Sequence, residues 1–394
     1  MPTQWQRLTA KAVQEQGIAC AIGQALAPVA PQPLPEKPLM PLPQTTTPPQ
    51  QFGSDNYAGL CPQALEAISR AAKGSTSAYG DDAWTRLAAK AVADVFEAPE
   101  AAVFFVLTGT AANALALATL CPPYCSIIAS EVAHAETSER GAPEFFTGGA
   151  KLITPPTPDG KLTPEAIKLA ARRASDPHSS TPAVVTITQP TENGLVYSVD
   201  EIRAIANACH DHGLRLHMDG ARFANAVAML GCTPAAMTWQ SGVDALSFGG
   251  TKNGMAMGEA VVFFKRSMAQ GFAERAKQSG QTASKMRFLS APWLAMIHSG
   301  AWLDNARHAN ASARQFAQAV EDIPSIKLAW PVQSNAVFLL MPEPVMNELR
   351  ARGWRFYTFF GGICRFMFAW DARPEAIAAL AADLRSCVRG QGAL

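Results

Sequence analysis

No charge of one sign dominates this sequence: 33 lysine and arginine residues stand against 32 aspartate and glutamate, a formal net charge of +1. That balance offers no broad basic field for nucleic acid and no acidic tail. No apolar run approaches the roughly 18 residues that a membrane helix needs. The opening stretch, MPTQWQRLTAKAVQEQG, lacks the apolar heart of a secretory signal, which points to a cytoplasmic protein. The 8 cysteines are dispersed and read as reduced thiols, not as a disulfide framework. Cys121 and Cys125 come nearest to a metal-binding spacing, but no second pair of ligands follows them.

Apolar residues are what the chain has in quantity: 48% hydrophobic against 16% charged, which excludes a wholly disordered polymer. At about 150 residues per domain, 394 residues predict two or three domains. Residues 1–50 differ in texture. Proline dominates from Pro28 to Pro49, and a residue that fixes φ and removes a donor predicts a loose, disordered arm. From Phe52 onward, short β-rich runs recur: VFFVL (103–107), SIIAS (126–130), KLI (151–153), AVVTIT (183–188), LRLHM (214–218), DALSF (244–248) and AVVFF (260–264). Helical patterns separate them, such as AANALALATL (111–120) and VDEIRAIANACHDHG (199–213), the latter closed by Gly213. Strand–helix alternation predicts an α/β fold, a mostly parallel central sheet sandwiched by helices, over residues 51–300. Past residue 300 the texture changes. Trp302, Ala306, Ala309, Ala313, Phe316 and Val320 recur at three-to-four spacing, the signature of a long amphipathic helix. Strand-like NAVFLLM (335–341) and CRFMFAW (364–370) and the helix PEAIAALAADLRSCV (374–388) follow. Residues 301–394 therefore read as a smaller α+β domain.

Ligands of open parallel sheets gather at the carboxyl ends of strands. Three such ends carry chemistry here. Thr108-Gly109-Thr110-Ala111 follows VFFVL and opens a helix, where small residues bare backbone N–H groups to an anion. Asp219-Gly220-Ala221-Arg222 follows LRLHM. Gly249-Gly250-Thr251-Lys252-Asn253-Gly254 follows DALSF and sets a lysine among small residues, a setting that favours Schiff-base chemistry over a solvated surface charge. A phosphate cradle, an aspartate and a lysine match what pyridoxal 5'-phosphate requires: a phosphate site, a partner for the pyridinium nitrogen, and an amine.

With Ser54-Asp55-Asn56-Tyr57, Tyr79-Gly80-Asp81-Asp82, Thr108-Gly109-Thr110-Ala111-Ala112-Asn113, His134, Met286-Arg287 and Arg365 added, the chain from about Phe52 to Cys387 resembles the L-threonine aldolases. These are fold type I enzymes, the aspartate-aminotransferase-like class that uses pyridoxal phosphate. The resemblance implies a lyase that cleaves L-threonine, L-allo-threonine and related β-hydroxy-α-amino acids to glycine and an aldehyde. It implies that Lys252 carries the cofactor, Asp219 pairs with its ring nitrogen, His134 lies over the ring, and Gly109 and Thr110 hold the phosphate. By the same resemblance Ser54, Arg222 and Arg365 would bind the substrate carboxylate. Arg287 would reach the phosphate, and Tyr79 the site, from a neighbouring subunit of a homodimer or homotetramer. One position departs from part of the family: where a histidine would touch the substrate hydroxyl, this chain has Glu192. His134 is the expected base for that hydroxyl, with Glu192 orienting it, because an unperturbed histidine titrates near pH 6.5 and a glutamate near 4.3. A β-eliminating lyase or an aminotransferase on the same scaffold is the rival reading. A DNA-binding regulator is disfavoured by the neutral charge and the proline-broken arm.

Overall fold

The computed structural model describes residues 51–391. The arm expected over residues 1–50 lies outside them. Eleven strands form two sheets among the described residues. Seven of these strands build the larger sheet: β1 (Ala102–Val106), β2 (Cys125–Ile128), β3 (Lys151–Ile153), β4 (Thr181–Thr188), β5 (Arg215–Gly220), β6 (Ala245–Phe248) and β7 (Glu259–Phe263). Their order is β1-β7-β6-β5-β4-β2-β3. The pairs β4–β5, β5–β6, β2–β4 and β2–β3 are parallel, and β7 alone runs against its neighbours β1 and β6. Strands β2, β6 and β7 are buried along their whole length, as near-continuous apolar runs covered on both faces must be.

The helices end where their sequence says. Ser198 caps the helix Val199–His210 and Glu201 returns the bond to the Ser198 backbone, a reciprocal capping box. Gly213, at φ +71°, ends it and lets Leu214 turn back onto the Cys209 carbonyl. The helix Gly109–Leu120 is different: residues 111–118 are all buried, so no polar stripe guided its packing. Aromatic side chains fill the layer behind the sheet. Phe96 lies 5.5 Å from Phe223, Phe248 and Phe264, and Phe248 lies 4.6 Å from Trp293.

The smaller, antiparallel sheet holds β8 (Lys327–Leu328), β9 (Ala336–Leu340), β10 (Tyr357–Thr358) and β11 (Ile363–Met367), ordered β10-β11-β9-β8. The helices Ala301–Val320 and Pro374–Gln391 pack with it over a separate core. All six residues of the expected apolar stripe, Trp302 to Val320, are buried. Phe52 joins this core from the other end of the chain, 4.9 Å from Phe368, and its carbonyl accepts the Met367 N–H at 2.8 Å. Among the described residues no helix is long and apolar enough to cross a membrane.

Candidate active site

A cavity of 650 Å³ opens at the carboxyl ends of β4, β5 and β6, beside the start of the Gly109–Leu120 helix. Its walls include Ser54, Gly109, Thr110, His134, Glu192, Asp219, Arg222, Lys252 and Arg365, nine of the eleven residues expected from the sequence. Tyr79 and Arg287 do not line it. Tyr79 is exposed, at φ +57°, with the Lys277 ammonium 4.5 Å above its ring. Arg287 is buried and donates from Nε to the Ala71 carbonyl at 2.8 Å.

Glycine lets the lysine turn approach the neighbouring strand end. A Cβ on Gly249 would sit 2.3 Å from the Ala221 carbonyl oxygen, and one on Gly250 would strike Trp293 at 2.7 Å. The short 3-10 turn Thr251–Asn253 then carries Lys252 into the cavity. Burial and the Arg222 guanidinium lower the Lys252 ammonium below its ordinary pKa, against the pull of Asp55, Asp219 and Glu259. An amine held this way is more readily present as the neutral nucleophile. Glu259, at the head of β7, accepts the Gly250 N–H at 2.6 Å and so pins the turn.

Asp219 ends β5 with its two oxygens occupied: Oδ1 accepts the Ala221 N–H at 3.0 Å and Oδ2 accepts Asn113 Nδ2–H at 2.8 Å. Thr108 caps the adjoining helix, its Oγ1 taking the Ala111 N–H at 3.2 Å. Gly109 and Thr110 are that helix's first residues, whose N–H groups have no intrahelical acceptor. Nothing lies within 4 Å of where a Gly109 Cβ would be, so an anion has room there.

Arg222 also carries an ion pair that the sequence did not show. Its Nε and Nη2 donate to the two oxygens of Asp55 at 2.6 and 2.9 Å, a bidentate pair buried on the carboxylate side. That pair uses two of the five guanidinium N–H groups and leaves the others for a further anion. Arg365 stands otherwise. Its guanidinium lies 5.1 Å from the Tyr357 ring centroid and 5.8 Å from that of Phe359, and its buried Nε has no hydrogen-bond partner among the described residues. Burial, with Arg222 nearby, lowers it to about 10 against the pull of Asp55, so it stays charged at neutral pH, and it makes no salt bridge among the described residues. Asp55 was missed in the sequence, although it stands in the quoted Ser54-Asp55-Asn56-Tyr57; nothing local ties it to an arginine 167 positions away.

Glu192 closes another wall. Its Oε1 accepts the His134 backbone N–H at 2.7 Å and the Thr188 hydroxyl at 2.9 Å, while Oε2 is buried without a partner among the described residues. Burial, reinforced by Asp219, pushes its carboxyl up to about 7. The His134 ring nitrogen Nδ1 lies 2.8 Å from Oε1 of Glu139, which is wholly buried. That bond raises the imidazole above its usual pKa, against burial, with Asp219 adding to the rise. Glu139 went unread in the sequence because it is only one of three acids in EVAHAETSE.

Fold and site define a class first: an α/β enzyme with a half-buried lysine and a strand-end aspartate in one cavity. The model of the family "Beta-eliminating lyase" matches residues 51–343. A low specificity L-threonine aldolase of a Pseudomonas strain is 55% identical over 86% of this chain and 97% of its own length. That of Pseudomonas aeruginosa is 54% identical over 85% and 97%. The solved threonine aldolase of Leishmania major is 28% identical, with a TM-score of 0.81 over 86% of this chain and all of that one. The chain belongs to the beta-eliminating lyase family, in its low-specificity L-threonine aldolase branch.

Proposed function

We propose that this protein is a pyridoxal phosphate-dependent aldolase that cleaves L-threonine, L-allo-threonine and related β-hydroxy-α-amino acids to glycine and an aldehyde. One observation carries the reading: a single cavity gathers a half-buried lysine, an aspartate at a neighbouring strand end, an arginine outside any salt bridge among the described residues and two proton-bearing side chains. The residues present fit the cofactor. Lys252 would hold it covalently, Asp219 would face its ring nitrogen, and Gly109 and Thr110 would take the phosphate. His134 would cover the ring, and Arg222 would border it. Bound there, the cofactor would supply an electron sink for the pair left when Cα–Cβ breaks.

The chain's own residues do the rest. Arg365 and Arg222 would grip the substrate carboxylate, helped by the Ser54 hydroxyl, and so turn the Cα–Cβ bond to the orientation in which it breaks. His134 would take the β-hydroxyl proton as the aldehyde forms, with Glu192 holding that hydroxyl. In this scheme Arg287 and Tyr79 act across a subunit boundary, since neither reaches the cavity of its own chain. A homodimer or homotetramer in the cytoplasm follows from the same reading.

Incubation with L-threonine tests the activity. Acetaldehyde and glycine should form in equal amounts without added keto acid. Activity only with a 2-oxo acid acceptor would make the protein an aminotransferase, and pyruvate with ammonia from serine alone would make it an eliminating lyase. The carboxylate anchor has its own test. Removing one partner of a buried charge pair costs about 2–5 kcal/mol, roughly 30- to 5,000-fold in affinity. Arg365→Leu should weaken glycine binding by that order with cofactor content unchanged, measured by the glycine-induced absorbance change. Near-native affinity would remove Arg365 from the role.

A further inference from the structure

Behind the imidazole of His134 lies a connected set of buried polar groups that the proposed chemistry does not yet use. Asn113 Nδ2 donates to Asp219 Oδ2 at 2.8 Å and to Glu139 Oε1 at 2.9 Å. The same Glu139 oxygen lies 2.8 Å from His134 Nδ1. One amide group thus spends its two hydrogens on two carboxyl groups, and fixes both of those oxygens as acceptors. Glu139 Oε1 already accepts from Asn113, so its contact with the imidazole is satisfied when Nδ1 carries the hydrogen. Nε2 is then the basic nitrogen of the ring. The arrangement has the logic of a base oriented by a buried carboxylate. Its cost is visible, because Glu139 Oε2 and Asn113 Oδ1 are buried without partners.

We propose that Glu139, held by Asn113, is the positioning residue of the aldol step: it sets the Nδ1–H tautomer of His134 and leaves Nε2 to take the substrate's hydroxyl proton. This rests on the aldolase reading given above. Glu139 touches no reacting atom and acts only through His134. The groups that bear on the imidazole come from four elements. Glu139 lies on its own segment, Glu192 follows β4 and holds the His134 backbone N–H, Asp219 ends β5, and Lys252 follows β6. Glu139 and Asp219 favour the charged ring, and Lys252 opposes it. Glu139 is itself raised above the ordinary carboxylate range, chiefly by burial and then by Asp219, against His134 and Asn113.

The experiment compares wild type, Glu139→Gln, His134→Asn and the double variant. Imidazole ¹⁵N spectra of the cofactor-free and loaded proteins, with the His134 signal identified by its loss in His134→Asn, report tautomer and titration directly. Wild type should show Nδ1–H. In Glu139→Gln the ring should titrate at lower pH, because the carboxylate charge that favours the charged form is gone while an amide acceptor remains. On threonine, kcat should fall roughly 10²-fold, the lower end of what a positioned base contributes, with KM within about threefold. The double variant should be no slower than His134→Asn alone, since Glu139 acts through that ring. A merely structural Glu139 gives the opposite pattern: an unmoved imidazole titration, and a further loss in the double variant. Either result overturns the proposal, as does an Nε2–H tautomer in wild type, which does not need Glu139→Gln to fold. Wild type that cleaves threonine while Glu139→Gln matches it refutes this inference and leaves the aldolase reading standing. Wild type that releases no aldehyde refutes the reading itself, and the spectra still report the dyad.

Discussion

Lys252→Ala should fold, bind pyridoxal phosphate only as a dissociable ligand, and lose nearly all turnover. The turn that carries the lysine is set by Gly249, Gly250 and the Glu259 carboxyl, none of which depends on the amine, so the scaffold should persist. The amine's neighbours should feel the change most: Asp55, Asp219 and Glu259 lose a cation. Borohydride treatment followed by peptide mapping checks the assignment. In wild type the label should fall on the peptide containing Lys252, and the variant should take none. Label on any other lysine would dismantle the site as drawn, because Asp219 would then face nothing.

His134→Asn is the second large effect. A positioned general base contributes about 10²–10⁴-fold, and threonine turnover should fall by that order with the cofactor still fixed to the chain. Glu192→Gln should lose less, since an amide still hydrogen-bonds a hydroxyl. The structure narrows the gap between the two. Burial lifts Glu192 to about 7, and the Glu139 contact moves His134 upward as well. Each group is a base only when deprotonated, so kcat should rise with pH through the pKa of whichever one acts. Profiles of kcat against pH should keep that acid limb in Glu192→Gln and lose it in His134→Asn. If Glu192→Gln abolishes cleavage while His134→Asn mainly loosens the cofactor, the proton goes to Glu192.

What could be read from the chain follows a physical division. Buried parallel strands leave near-continuous apolar runs, so β1 to β7 were legible, and so were the helix stripe from Trp302 to Val320 and the strand-end positions of Asp219 and Lys252. The reversed direction of β7 was not, because an apolar run carries no sign of its direction. Helices Pro62–Ala71, Ala83–Val95 and Arg287–Ser299 also went unread; the last has Pro292 inside it, a residue that usually ends a helix pattern. Within the site, motif residues were found and their partners were not. Asp55 for Arg222 and Glu139 for His134 are pairings in space, and an isolated acid in a polar stretch looks like a solvated charge.

The segment around Asp55 has a consequence for how the molecule could be taken apart. Asp55 accepts from Arg222 and, at 3.1 Å, from Asn335 Nδ2, 280 positions away, which in turn donates to the Phe368 carbonyl. Phe52 sits among the aromatic residues beside β11. Burial would raise the Asp55 carboxyl, but Arg222, Lys252 and Asn335 together hold it below the ordinary range. The first few described residues thus behave as a thread stitched through both halves. Were the polypeptide supplied as two fragments divided near Gly300, the earlier piece would carry a key already cut for the later one. Reassembly would be guided by residues 52–55, and the same stitch would return Arg365 to the cavity that Arg222 borders.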